Sequence, residues 1–244
     1  MTDLPPPPAL AALLADSPIA LFLDFDGTLV DLAPTPDGIS VPQGLSAALV
    51  SLSGTLGGRL ALVSGRAISD IERHLGPLKL AASGSHGADR RLVDGSSLGD
   101  KPAGLSDALR AELAHFASAQ GFALEDKPHG AALHYRHDPT LEDAGLAFAS
   151  TLAAQHGLDI KRGKCVIELV GQGANKGGAV AAFMQIAPFA GATAIFIGDD
   201  VTDEDGFVVA TNLGGFGIAV GERKSANAKF HLADVAAVHH WLSL

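Results

Sequence analysis

Apolar and polar residues alternate in blocks along the first third of the chain. Short apolar runs, each long enough for one buried strand, lie at 19–23, 59–63 and 78–82. Apolar residues at helical spacing predict helices at 9–16, 43–56 and 68–75. This alternation predicts a parallel sheet with helical crossovers. Residues 1–8 end in four prolines, and we expect them to form an extended, poorly ordered lead-in.

The middle of the chain has a different pattern. Two long helices, at 104–120 and 141–156, alternate with strands at 122–126, 131–136 and 160–170, the last of these as a hairpin or as further strands. The first pattern then returns, with strands at 193–197 and 216–220 and helices at 175–185, 207–211 and 235–242. We therefore expect an α/β fold with a doubly wound, Rossmann-like parallel-sheet core formed by residues 1–91 and 173–244. A smaller α/β cap, residues 92–172, is inserted into this core.

Composition narrows the class of protein. A chain of 244 residues that is 47% hydrophobic can form one large domain with a smaller insert. Its formal net charge of −10 argues against nucleic acid and anionic membranes as partners, because both favour basic surfaces. The single cysteine cannot form an internal disulfide, and no apolar run approaches the roughly 18 residues of a membrane span. With no signal-peptide pattern or coiled-coil repeat either, we expect a cytoplasmic monomer.

Acidic residues lie just after two of the predicted strands. Asp24 and Asp26 come after the first strand, where alternate side chains share a face, and Asp199 follows the strand at 193–197. Neighbouring carboxylates repel each other, and a hard divalent cation is the usual means of offsetting that repulsion. Because the carboxyl ends of parallel strands form one crevice, carboxylates from two distant strands indicate a magnesium site there.

Two further features indicate an anion site at the same edge. Ser64-Gly65 follows the second strand, and Lys176 opens a helix. The backbone N–H groups and dipole of a helix start favour negative charge. Alone, an Asp-x-Asp pair can be a turn feature and a Ser-Gly pair a helix cap. Together and in this order, they favour phosphoryl transfer.

These motifs resemble a known family. DFDGTL at 24–29, Ser64 after a strand, Lys176, and GDDVTDED at 198–205 resemble the haloacid dehalogenase superfamily of phosphatases. More narrowly, the chain is similar to the trehalose-6-phosphate phosphatases in SGR at 64–66, HGA at 86–88, HYR at 134–136, Glu168 before NKG, and GDDVTDE.

The resemblance implies roles for the acidic residues. Asp24 is then the nucleophile that forms an aspartyl-phosphate, and Asp26 is the acid that protonates the leaving sugar oxygen and later the base that activates water. Mg²⁺ is held by the Asp24 carboxylate, the Asp26 backbone carbonyl and the Asp199 carboxylate. Asp200 and Asp203 support the metal site.

The resemblance also implies two binding regions. The transferring phosphoryl group is bound by Ser64, Gly65 and Lys176. Lys176 is also a catalytic residue, because it neutralises the charge of that phosphoryl group. Four cap residues bind the sugar, by donating hydrogen bonds to its hydroxyls or accepting from them: Lys127, Arg136, Lys164 and Glu168.

The implied function is Mg²⁺-dependent hydrolysis of trehalose 6-phosphate to trehalose and phosphate, the dephosphorylation step of trehalose biosynthesis. Residues 169–172 stand where the family commonly has Arg-Pro or Lys-Pro, so another sugar phosphate, such as sucrose 6-phosphate or glucosylglycerol phosphate, stays open. A phosphoaspartate receiver, a signalling module, is a further alternative. The predicted cap and Asp26 argue against it, because a receiver needs neither a cap nor a general acid. A non-catalytic sugar-phosphate binder is disfavoured by four intact residues: Asp24, Asp26, Lys176 and Asp199.

Overall fold

The computed structural model describes residues 4–33, 35, 38–100, 103–163 and 165–244, in two compact units. The core unit contains the chain up to Gly99 together with Asn175–Leu244, and the cap unit is Asp100–Ala174. The expected boundaries, 91/92 and 172/173, lie close to these divisions. Residues 92–99 stay with the core unit because Ser97 forms a bridge back to Arg91. The division into a catalytic core and a substrate cap remains a prediction.

Strands are numbered here in chain order. They are β1 (Ile19–Leu23), β2 (Leu60–Val63), β3 (Ala81–Gly84), β4 (Asp89–Arg91), β5 (Ala123–Lys127), β6 (Gly130–His134), β7 (Leu158–Gly163), β8 (Val166–Gly171), β9 (Thr193–Gly198), β10 (Phe216–Val220) and β11 (Phe230–Leu232). The core sheet has the order β11-β10-β9-β1-β2-β3-β4, parallel except for β4, and the antiparallel cap sheet has the order β5-β6-β8-β7.

The described residues form eight α-helices. They are α1 (Leu10–Asp16), α2 (Leu45–Thr55), α3 (Ile68–Leu75), α4 (Asp107–Gln120), α5 (Glu142–His156), α6 (Lys176–Met184), α7 (Glu204–Asn212) and α8 (Val235–Leu242). Six of these eight helices cover the two faces of the core sheet, and α4 and α5 belong to the cap unit. Apolar residues of α1, α2, α3 and α8 pack on one face, and those of α6 and α7 pack on the other. This arrangement confirms the doubly wound α/β core that the sequence predicts.

The central strand β1 is buried on both faces. Leu21 and Leu23 face the first helical layer, whereas Phe22 faces the second, where its ring centroid lies 6.3 Å from that of Phe183 and 5.7 Å from that of Phe189. Strands buried in this way read as continuous apolar runs, which is why the pattern at 19–23 predicts β1 correctly.

The cap unit has its own apolar core. Helices α4 and α5 pack on one face of the cap sheet, and Leu113 and Leu152 cluster there with Leu133. Alternation along the strands places polar side chains on the opposite face, including those of Lys127 and Glu168. The cap sheet therefore has one apolar and one polar face.

Several elements differ from the sequence-based prediction in their bounds or were not predicted. The third strand is Ala81–Gly84 instead of 78–82, because its pairing with β2 and β4 continues through Ser83. The short edge strand β11 was not predicted. The prediction of a poorly ordered lead-in is wrong for residues 4–8, because Pro5 O accepts a hydrogen bond from His231 N of β11 and Pro8 O accepts one from Trp241 Nε1. Within the described ranges, no helix is long and apolar enough to cross a membrane.

We expect Phe22→Ala to lower the free energy of unfolding by about 3–5 kcal/mol, because it leaves a cavity in the fully buried layer between β1 and α6. Urea unfolding followed by circular dichroism measures this change. Val208→Ala, at an exposed position of α7, is the control and should alter the value by no more than about 0.5 kcal/mol. Equal effects of the two substitutions would contradict the packing described here.

Candidate active site

The carboxyl ends of β1 and β9 bring three acidic residues together. Asp24 directly follows β1, and its backbone N–H donates to Ile197 O of β9 over 2.9 Å. Asp199 follows β9, and Asp203 lies in the 3₁₀ turn after it. All three are buried, and carboxylate oxygens of Asp24, Asp199 and Asp203 lie within 4.8 Å of one another. Parallel pairing of β1 with β9 produces this cluster, as the sequence predicts for Asp24 and Asp199.

Lys176 reaches this cluster from the first turn of α6. Its Nζ donates to Asp24 Oδ1 over 2.8 Å and to Asp203 Oδ1 over 2.6 Å, and its side chain is only 3% exposed. Burial alone lowers the pKa of Lys176, but the carboxylates of Asp203 and Asp24 outweigh this and raise it above its usual value. Lys176 is therefore a protonated ammonium.

Lys176 and the three clustered carboxylates together carry a net negative charge when all three carboxylates are ionised. Burial raises the pKa of Asp24 well above its usual value; Lys176 opposes this shift, while Asp203 and Asp199 add to it. The donor set consists of carboxylate oxygens, which Mg²⁺ prefers. The residues thus fit a divalent cation, which would offset the excess charge.

Both carboxylate oxygens of Asp203 accept hydrogen bonds from other residues of the site. Its Oδ1 accepts from Lys176, and its Oδ2 accepts from the backbone N–H of Asp200 over 2.8 Å. Asp200 in turn caps the 3₁₀ turn by accepting from Val201 N. Of the three clustered carboxylates, those of Asp24 and Asp199 are consequently the better candidates for metal ligands.

Gly27 lies against the loop of residues 199–203 that follows β9, called here the acidic loop. Its φ is +74°, and a Cβ added there would lie 2.3 Å from Asp199 Oδ2. Only a glycine combines that backbone conformation with such a close approach.

Asp26 occupies a separate polar cluster. Arg66 Nε donates to Asp26 Oδ2 over 2.7 Å and Arg66 Nη2 to Asp26 Oδ1 over 2.8 Å, while Nη1 donates to Asp70 Oδ2 over 2.6 Å. Burial lowers the pKa of Arg66, but hydrogen bonds and charge from Asp26 and Asp70 raise it above its usual value. Arg66 stands in the SGR motif at 64–66, but its pairing with Asp26 was not predicted.

Ser64 and Gly65 lie at the same edge of the sheet, directly after β2. Ser64 is buried, and its Oγ accepts from Arg66 N over 3.1 Å. His86 donates its backbone N–H to Ser64 O, and its ring lies so close to Gly65 that an added Cβ would be 2.6 Å from Cε1. Both Ser85 and His86 have positive φ values, 49° and 56°. A strained turn after β3 thus packs against Gly65, a contact that the sequence analysis did not predict.

Two of the four predicted cap residues contact each other. Lys127 Nζ lies 2.9 Å from Glu168 Oε1, with both side chains largely buried on the polar face of the cap sheet. Arg136 is exposed beyond the end of β6. Lys164 lies outside the described residues.

We expect Gly27→Ala to weaken Mg²⁺ binding at least about tenfold, because the new methyl group displaces the Asp199 carboxylate. Isothermal titration calorimetry with MgCl₂ measures the effect. Gly44→Ala is the matched control, since Gly44 also has a positive φ, +87°, but an added Cβ there has no neighbour within 4 Å. If both variants bound Mg²⁺ as the unmodified chain does, Asp199 would not be a ligand.

Comparison with known proteins agrees with this geometry. The sequence profile of the trehalose-phosphatase family matches residues 22–236. The trehalose-6-phosphate phosphatase of Escherichia coli (strain K12) is 38% identical over 231 residues, which cover 92% of this chain and 85% of that protein. A probable trehalose-phosphate phosphatase of Sinorhizobium fredii (strain NBRC 101917 / NGR234) is 46% identical over 205 residues, covering 83% and 77%.

Solved structures share the fold. A trehalose-6-phosphate phosphatase related protein superposes with a TM-score of 0.77 at 28% identity and covers 92% of this chain and 95% of that one. The C-terminal domain of the Candida albicans trehalose-6-phosphate phosphatase has a TM-score of 0.83 at 22% identity, covering 100% and 99% of the two chains, and shows the fold alone. Because the family profile covers the acidic cluster, Lys176 and the whole cap unit, the chain belongs to the trehalose-phosphatase family.

Proposed function

We propose that this chain hydrolyses trehalose 6-phosphate to trehalose and inorganic phosphate, the dephosphorylation step of trehalose biosynthesis. The observation that carries the proposal is the buried Asp24 at the end of β1, hydrogen-bonded to Lys176 and clustered with Asp199, in a chain of the trehalose-phosphatase family. The single cysteine, without an internal disulfide partner, supports a cytoplasmic setting for this reaction.

Asp24 is the nucleophile in this proposal. Lys176 fixes one carboxylate oxygen, Oδ1, and so orients the carboxylate for attack on phosphorus. The new bond joins an Asp24 oxygen to phosphorus, and the bond between phosphorus and the sugar oxygen breaks. Water then attacks phosphorus, releases inorganic phosphate and regenerates the Asp24 carboxylate.

Asp26 transfers the protons. In the first step it protonates the leaving sugar oxygen, and in the second it accepts a proton from the attacking water. Because Arg66 binds both Asp26 oxygens, Asp26 must first give up at least one of these two hydrogen bonds. Arg66 retains Asp70 as a partner while Asp26 acts.

Phosphate binding falls to Lys176, Ser64 and Gly65. The ammonium of Lys176 neutralises charge on the transferring group, and the Ser64 hydroxyl with the backbone at Gly65 donates to its oxygens. Mg²⁺ would be held by the Asp24 and Asp199 carboxylates and the Asp26 backbone carbonyl. When bound, it offsets the repulsion between the Asp24 carboxylate and a phosphate dianion.

The cap residues bind the sugar in this proposal. Glu168 accepts from sugar hydroxyls, and Lys127, Arg136 and Lys164 donate to them. The ion pair between Lys127 and Glu168 supports this role, because two largely buried charged groups stand on a face that the cap's own core leaves polar.

Phosphate release with Mg²⁺ from a panel of sugar phosphates, repeated in EDTA, tests the proposal. We expect a strong preference for trehalose 6-phosphate over sucrose 6-phosphate and glucosylglycerol phosphate, lost on chelation. Mg²⁺-dependent release from another sugar phosphate instead would replace the substrate but keep the chemistry. No release from any of them would overturn both.

Asp24→Asn should lower turnover by on the order of 10³-fold or more, since the amide keeps the shape of the side chain but is not a nucleophile. Phosphate release and circular dichroism are measured on the same sample. Retained turnover with a native spectrum would exclude Asp24 as the nucleophile.

Glu168→Gln should lower kcat/KM for trehalose 6-phosphate about tenfold or more, because it weakens charge-assisted hydrogen bonds to sugar hydroxyls. The value for p-nitrophenyl phosphate, which has no sugar, should change little. Glu142→Gln, which removes an exposed cap ion pair with Arg162, is the control. Equal losses on both substrates would contradict a sugar-binding role for Glu168.

A further inference from the structure

Arg223 contacts the backbone of the acidic loop, whereas Lys176 contacts the side chain of Asp203. It follows β10, which pairs in parallel with β9, so the loops after these strands lie at the same edge of the core sheet. Its Nε donates to the backbone carbonyl of Asp199 over 3.1 Å, and its Nη2 donates to that of Asp200 over 3.0 Å. One guanidinium thus binds two consecutive carbonyls.

The guanidinium is itself fixed in place. Nη2 also donates to Glu204 Oε1 over 2.6 Å, and Nη1 donates to Lys224 O over 3.1 Å. The other oxygen of Glu204 accepts from Asn227 N and Asn227 Nδ2, each over 3.0 Å. Because Arg is a planar fork of five donors, this geometry holds it rigidly, which a single lysine ammonium cannot reproduce.

These contacts bear on the position of the Asp199 carboxylate. The Asp200–Asp203 capping box and the Lys176–Asp203 ion pair hold the loop from within the site, and Gly27 packs against the Asp199 carboxylate. Hydrogen bonds to the carbonyls of residues 199 and 200 fix the two peptide planes that follow Asp199. Fixing these planes limits the positions that the Asp199 side chain can take before any ligand binds.

We propose that Arg223 is a positioning residue for the divalent cation: by clamping the carbonyls of Asp199 and Asp200 it holds the Asp199 carboxylate ready to coordinate Mg²⁺. The inference rests on the metal assignment in the proposed function and adds a residue that none of the motifs contains. Mg²⁺ demands near-ideal octahedral geometry, so a ligand that must be ordered on binding weakens the site.

Arg223→Lys should raise the Kd for Mg²⁺ about tenfold, measured by calorimetry without substrate. The Mg²⁺ concentration for half-maximal phosphate release should rise by the same factor. Glu204→Gln, which keeps Arg223 but removes its charged anchor, should weaken Mg²⁺ binding to a smaller extent and serves if Arg223→Lys does not fold.

Arg91→Lys is the matched control. Arg91 pairs with Glu72 over 2.6 Å, and its side chain is 25% exposed, close to the 27% of Arg223. It lies on β4, however, which is the last strand of the core sheet on the side away from β10 and β11. It should lose comparable stability with no change in the Kd for Mg²⁺. An unchanged Kd in Arg223→Lys, or an equal rise in Arg91→Lys, would overturn the proposal while leaving the proposed function intact. Failure of the unmodified chain to bind Mg²⁺ would overturn the metal assignment and this proposal together.

Discussion

The ion pairs of Lys176 with Asp24 and Asp203 are the interaction on which the rest of the structure depends. The three side chains are 3%, 5% and 0% exposed, and each lies in a different segment: the start of α6, the end of β1 and the turn after β9. Removing one partner of a buried pair leaves an uncompensated charge, at a cost of about 3–5 kcal/mol. The same contacts that assemble the core therefore place the candidate nucleophile.

The acidic cluster with Lys176 and the carboxylate of Asp26 differ in how firmly their contacts hold them. Asp24, Asp199 and Lys176 are fixed by strand pairing, by Gly27 and by buried hydrogen bonds. The carboxylate of Asp26, by contrast, is bound by Arg66, which has a second carboxylate partner in Asp70. The proposed chemistry requires this difference, because the nucleophile must stay in place while the proton carrier moves between two partners.

Much of the fold can be predicted from the local pattern of apolar and polar residues. The clustering of site residues at the carboxyl ends of the strands can be predicted from the parallel topology. Apolar runs predict β1, and the start of a helix places Lys176 at the crevice, because parallel strands end at one edge. The pairing of Arg66 with Asp26, the Arg223 clamp and the docking of Pro5 on β11 depend on which side chain reaches which distant atom. No periodicity or motif encodes such contacts. The catalytic and binding roles of the site residues remain predictions.

The most direct measurement is to trap the phosphoryl group on the protein. The chain is mixed with trehalose 6-phosphate and Mg²⁺, quenched in acid during turnover, digested, and its peptides are examined by mass spectrometry. If Asp24 is the nucleophile, one phosphoryl group is found on the peptide that contains Asp24, and at that residue. A phosphoryl group on any other residue, or full turnover in the Asp24→Asn variant, would contradict the assignment.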